Sequence, residues 1–97
     1  INSGINTYTS SSNSAASDAA SIVQMNSASA NTYTITGTYA TGAQITIVQI
    51  GAGQTTITGT GVVSNGATSN SPKLRTQYSS ATAYYNGTNW IVIGDIV

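Results

Sequence analysis

At 97 residues the chain is long enough for one small domain and no more. Only 4% of its residues are charged, against roughly 25% in an ordinary soluble domain, and Asp18, Lys73, Arg75 and Asp95 cancel to zero. Such a surface has no field to steer nucleic acid or an anionic membrane, and near-zero net charge favours association over a free monomer.

Other absences narrow the classes further. There is no Cys, which removes disulfides and thiolate metal sites. No apolar run approaches the roughly 20 residues of a membrane helix, and INSGINTYTSSS has neither the basic region nor the apolar core of a signal peptide. A start at Ile rather than Met suggests a trimmed chain or a piece of a longer one. The bulky apolar residues are mostly Ile, Val and Tyr, among many Thr, with one Leu and no Phe. β-branched and aromatic side chains suit a pleated, half-buried surface. The composition predicts an all-β fold.

Residues 1–20 are rich in Ser, Asn and Ala, with Ile1, Ile5 and Tyr8 their only bulky apolar groups. Alone they bury too little to offset their ordering entropy. They are expected to be a polar N-terminal arm or linker, either flexible or ordered against a neighbouring subunit, dispensable for folding and used for attachment.

From Ser21 onward, strands are punctuated by Gly, Asn and Ser. SIVQMN (21–26) puts Val23 and Met25 on one face, and NTYTIT (31–36) puts Tyr33 and Ile35 inward with Thr outward. QITIVQI (44–50) alternates at Ile45 and Ile47, then shifts phase to Val48 and Ile50, which predicts a bulge or burial on both faces. QTTITGTGVV (54–63) follows a turn at Gly51-Ala52-Gly53, and KLRTQYS (73–79) alternates Leu74, Thr76 and Tyr78 against Lys73, Arg75 and Gln77. ATAYY, Asn86-Gly87 and NWIVIGDIV read as a closing hairpin, since Asn-Gly between apolar runs is a strong turn signal. About seven or eight short strands at near-regular spacing predict that residues 21–97 form a small antiparallel sandwich or jelly-roll-like barrel. TITGT occurs at 34–38 and again at 56–60, but two copies fall short of the three or so stacked repeats that a solenoid needs.

Chemistry-bearing residues are few. With no His, Glu or Cys, acid–base catalysis would fall to Asp18, Asp95, Lys73 or a Tyr, and the two carboxylates lie far apart in sequence. No enzyme, catalytic residue, cofactor or metal site is expected, since two Asp cannot supply the ligand set of a hard cation. Gly51-Ala52-Gly53 and Gly59-Thr60-Gly61 lack the third Gly and following helix of a phosphate loop and read as turns. Asn86-Gly87-Thr88 matches a glycosylation sequon but reads as turn chemistry. Tyr84, Tyr85 and Trp90 remain as candidate surface, ligand or interface aromatics. Trp90 opens an apolar run and is expected in the core or an interface, while the adjacent Tyr should face opposite sides of their strand.

Four stretches carry a resemblance: VQMNSASANTYTI (23–35), TGAQITIVQIGAGQTTITG (41–59), KLRTQYSSAT (73–82) and GTNWIVIGDI (87–96). In order and spacing they resemble the C-terminal β module of tailed-bacteriophage virion surface proteins, of the tail-fibre, head-fibre or capsid-decoration type. The chain departs from that pattern at TGTYATGAQ, where relatives commonly carry a Pro and a Phe, and at Tyr84-Tyr85, where they usually place an aliphatic. The resemblance implies a homotrimer on the virion surface in contact with other virion proteins of capsid or tail. It supplies no catalytic residues. Two functions follow as expectations: a small structural knob or decoration, or the distal receptor-binding tip of a tail fibre recognising a host surface glycan or protein. The Thr-x-Thr stretches also admit an ice- or surface-binding protein, although such arrays need many registered repeats.

Overall fold

A computed structural model describes residues 4–64 and 71–97. β1 (Gly4–Tyr8), β3 (Ser21–Met25) and β5 (Gln44–Gln49) lie side by side and parallel in one sheet. β2 (Ser12–Asn13), β4 (Asn31–Ile35) and β6 (Thr55–Gly59) do the same in a second. Successive strands alternate between the sheets, so the chain winds as three stacked coils of a short β-solenoid. The last coil is capped in the first sheet by β8 (Ser80–Tyr85), antiparallel to β5, by β9 (Trp90–Gly94), antiparallel to β8, and by β7 (Val62–Ser64), parallel to β9. The larger sheet thus runs β1-β3-β5-β8-β9-β7 and the smaller β2-β4-β6.

The chain is all-β, but the antiparallel sandwich or jelly-roll-like barrel is corrected to a coil. Alternation along a strand says which side chains face inward; it is the same for parallel and antiparallel partners. Stacking is regular where the second and third coils meet. Ile22 lies beside Thr46 and Asn31 beside Thr55, each pair 24 residues apart. The TITGT echo is out of step with this. Its copies are 22 residues apart, so Ile57 stacks on Tyr33 and Gly59 on Ile35.

The arm is corrected as well. Gly4–Tyr8 pairs in register with Ser21–Met25, and Ser12 and Asn13 pair with Tyr33 and Thr34. A 3-10 turn over Ala16–Ala20 then leads into β3. Residues 4–20 are therefore the first coil of the module, not an appendage to it.

Between the sheets, Val23, Met25, Ile45 and Ile47 meet Tyr33, Ile35 and Ile57, with Ala81, Ala83, Val92 and Trp90 closing the far end. Full burial of each Val, Ile or Met contributes about 1.5–3 kcal/mol. The phase shift expected in β5 does not occur, because Gln49 keeps the inward position and is buried. Its amide nitrogen donates to the Gly51 carbonyl, 3.2 Å, and its amide oxygen accepts from the Thr55 N–H, 3.1 Å.

Gly51 and Gly53 sit at the corner that follows, directly over Ser27 and Ser29 of the coil before. A Cβ at either position would fall inside the serine backbone. The Gly53 N–H reaches the Ser27 carbonyl at 2.9 Å. These glycines serve close stacking of two corners rather than a tight turn with positive φ.

The closing hairpin forms as expected. The Asn86 side-chain oxygen accepts from the N–H groups of Thr88 and Asn89, 2.9 and 2.7 Å, and Gly87 takes φ 97°. The expected strand at 73–79 does not run through. Lys73 and Leu74 bridge to Thr56 and Ile96, then the chain turns, with Tyr78 at φ 69° and 72% exposed.

Candidate functional site

The ionisable side chains come first, because a catalytic or ligand site would need them. Asp18 is buried at the turn into β3, facing the tyrosines of two coils. Its carboxylate accepts from the Tyr33 hydroxyl at 2.6 Å, the Tyr8 hydroxyl at 2.9 Å, the Asn6 amide at 2.6 Å and the Ala15 N–H at 3.0 Å. Burial alone would push this carboxyl up. The donors, Tyr33 foremost, outweigh burial and hold it below the ordinary carboxylate value. In return, burial and then the bond to Asp18 push the Tyr8 phenol up to about 12, and Tyr33 moves in the same direction for the same reasons. An anion so saturated is a structural pin. It has no oxygen left for a substrate proton.

At the other end of the chain, Arg75 and Asp95 form a two-point ion pair, Nε to Oδ1 at 2.8 Å and Nη2 to Oδ2 at 2.9 Å. The Ser79 hydroxyl adds a bond to Oδ2 at 2.7 Å. The guanidinium, with help from Ser79, holds Asp95 below the ordinary carboxylate value, and Arg75 shifts upward because of the same partner. Both side chains are largely in water, where such pairs contribute little to stability. Among the described residues no cluster of metal-ligating side chains occurs, and no helix is long and apolar enough to cross a membrane.

The three aromatics singled out in the sequence separate. Trp90 is only 4% exposed. Tyr85 lies against it at 5.3 Å between ring centroids and 32° between planes, and Tyr39 meets it edge-on at 5.1 Å and 87°. With its rings covered in this way, Trp90 offers no face on which a sugar could stack. Tyr84 points the other way, to the outer surface of the large sheet, because it pairs with Gln44 one position off the buried Ala83–Ile45 pair. Tyr39, not among the candidates, completes the cluster. Its hydroxyl sits 2.8 Å from that of Ser14 and so ties the aromatic corner to the first coil. The hairpin register sets Tyr85 opposite Trp90; Tyr39 comes to them from the connection between β4 and β5.

Two clefts flank this corner. One, of about 540 Å³, is lined by Thr34, Thr36, Thr58, Thr60 and the edge of Trp90, over Gly37 and Gly59. Its neighbour, about 240 Å³, lies between Tyr39, Tyr85 and Thr88. Their walls offer hydroxyls and backbone groups but no charge, so they suit at most a small neutral ligand.

The most distinctive surface is the outer face of the large sheet. Register places Ile5, Ile22, Thr46, Thr82 and Ile93 in one continuous row across five strands. Tyr84, Ile91 and Val63 form a shorter row beside it. Three of the five large hydrophobics exposed among the described residues, Ile5, Val63 and Ile93, stand on this face. The sequence hides it, because each strand contributes one or two apolar residues and only the register joins them.

Comparison with family models returns no match, and none of the curated proteins compared matches the chain.

Proposed function

We propose that this chain is a non-catalytic structural protein: a small homotrimeric knob on the surface of a tailed-phage virion, of the capsid-decoration or head-fibre type, held to other virion proteins. The observation that carries this reading is the use of the charged groups. Asp18 is spent on holding the first coil, and Arg75 and Asp95 are spent on each other. What remains, Lys73 aside, is an uncharged, tightly hydrogen-bonded coil with an apolar outer face, suited to assembly.

The resemblance adds support, because its motif residues build the coil. In QIGAGQ (49–54), Gln49 and the two glycines make the stacked corner, and the Gln54 amide donates to the Leu74 carbonyl at 3.1 Å. In KLR (73–75), Leu74 is core and Arg75 meets Asp95. The motif specifies a scaffold rather than a reactive site.

The hydroxyl-lined cleft of about 540 Å³ favours a second reading, the distal tip of a tail fibre recognising a host glycan. Labelling intact particles with antibody to this chain separates the two. Label over the capsid supports the first, label at the tail tip the second, and particles without label refute both.

A further inference from the structure

We propose that the outer face of the large sheet is the surface on which copies of this chain pack against one another, each turning the Ile5–Ile22–Thr46–Thr82–Ile93 row toward a common axis. This rests on the reading of the chain as a homo-oligomer and names the surface that makes it one.

Four observations lead to a second copy as the occupant. None of the six strands of this sheet contains a charged residue, so a charged partner would bury its own charges without compensation. Several polar members of the face bond one another within it: Thr46 and Thr82 share a hydrogen bond at 3.2 Å and Thr7 donates to Gln24 at 3.3 Å. Covering these pairs costs less than covering free hydroxyls, since each keeps a hydrogen bond inside the interface. The opposite sheet presents Thr32, Thr34, Thr56 and Thr58 outward instead, so the apolar residues are gathered on one side. Finally, the row crosses five of the six strands, a span of about 19 Å at ~4.8 Å between strands, and so is an extended patch rather than one isolated side chain. The face most like this one in chemistry and shape is this face on another copy.

Sedimentation of the full chain over a range of concentrations tests this. The wild type should sediment as three chains, with no weakening in high salt. Ile93→Lys should shift it to a monomer or weaken association at least tenfold while leaving the far-ultraviolet spectrum unchanged. Ile5→Lys, at the other end of the row, reads the same surface should Ile93→Lys not fold. Under mild oxidation Thr82→Cys should cross-link between chains and Thr34→Cys, on the opposite sheet, should not. A monomeric wild type, an Ile93→Lys or Ile5→Lys variant that stays trimeric, or cross-linking through Thr34→Cys alone would overturn the proposal. A chain that labels the particle yet sediments as a monomer overturns this surface and leaves the virion reading standing. Association through this face by a chain that labels no particle has the reverse meaning.

Discussion

Asp18→Ala is expected to cost the fold about 2–4 kcal/mol, a large loss for a domain whose whole stability is about 5–15 kcal/mol. The size follows from what the carboxylate leaves behind. The Tyr33 hydroxyl is fully buried and would lose its acceptor, which costs about 1–3 kcal/mol. Asn6 and Tyr8 are half-buried and can turn toward water, so their losses are smaller. Removing a buried charge also relieves its desolvation, which keeps the total below the sum of its bonds. Urea unfolding followed by circular dichroism reads the difference, with Tyr33→Phe as a companion expected to cost about 1–2 kcal/mol.

The pH dependence supplies an independent check. The folded carboxyl lies below its ordinary value of 3.8, so its contribution is fully present above that value and is lost as pH falls through the folded one. The wild type should therefore lose stability in acid below about pH 4 faster than Asp18→Ala, and the two should converge. An Asp18→Ala variant with an unchanged urea midpoint at neutral pH would refute the reasoning, since the first coil would then be held by something else.

Deleting residues 1–20 should leave a cooperative transition at a clearly lower melting temperature, because it strips β1 from β3, β2 from β4 and Asp18 from Tyr33; a truncated chain that melts like the parent would restore the arm. Gly53→Ala should cost about 1–3 kcal/mol by forcing the stacked corners apart, read as a lower urea midpoint. Trp90→Ala should cost about 3–5 kcal/mol, and the native Trp fluorescence should be blue-shifted and poorly quenched by iodide. Arg75→Ala should leave the melting temperature nearly unchanged, since its ion pair with Asp95 is exposed.

The strands and most of the core were legible because period-two alternation reports burial directly: Val23, Met25, Tyr33, Ile35, Ile45 and Ile47 all face inward where the pattern puts them. The hairpin at Asn86-Gly87 was legible from turn chemistry alone. Pairing direction was not, since the same alternation suits either. The coil period was hidden for a further reason. Inward stacked positions carry unlike residues, Met25 on Gln49 and Tyr33 on Ile57, while only outward threonines repeat, Thr32 on Thr56 and Thr34 on Thr58, because a narrow core needs complementary volumes more than identical ones. The one visible repeat, TITGT, stands at 22 residues rather than the 24 of the coil.

Residues 4–20 failed to read as structure for a different reason, and it bears on how such coils end. Judged by its own apolar content, this segment cannot order itself. A terminal coil does not have to, because it is laid on a template already fixed by the next coil, and parallel pairing with Ser21–Met25 supplies its backbone bonds. Small side chains then suffice where only one neighbour is present to pack against. What such a coil lacks is a tie between its own turns, and here a single carboxylate supplies it. Asp18 gathers donors from β1, from the loop at Ala15 and from β4 onto one anion. A charge that looked like the leftover of a polar arm is the residue that makes the arm a coil. It also sets the order of loss in acid: the first coil should loosen before the core between Ile45, Ile47 and Ile57, because Asp18, the buried ionised group among the described residues, ties that coil down. Hydrogen exchange at low pH, with early loss of protection confined to Gly4–Tyr8 and Ala16–Ala20, is the expected result; uniform loss along the chain would mean that the coils unfold as one unit and that Asp18 stabilises them all alike.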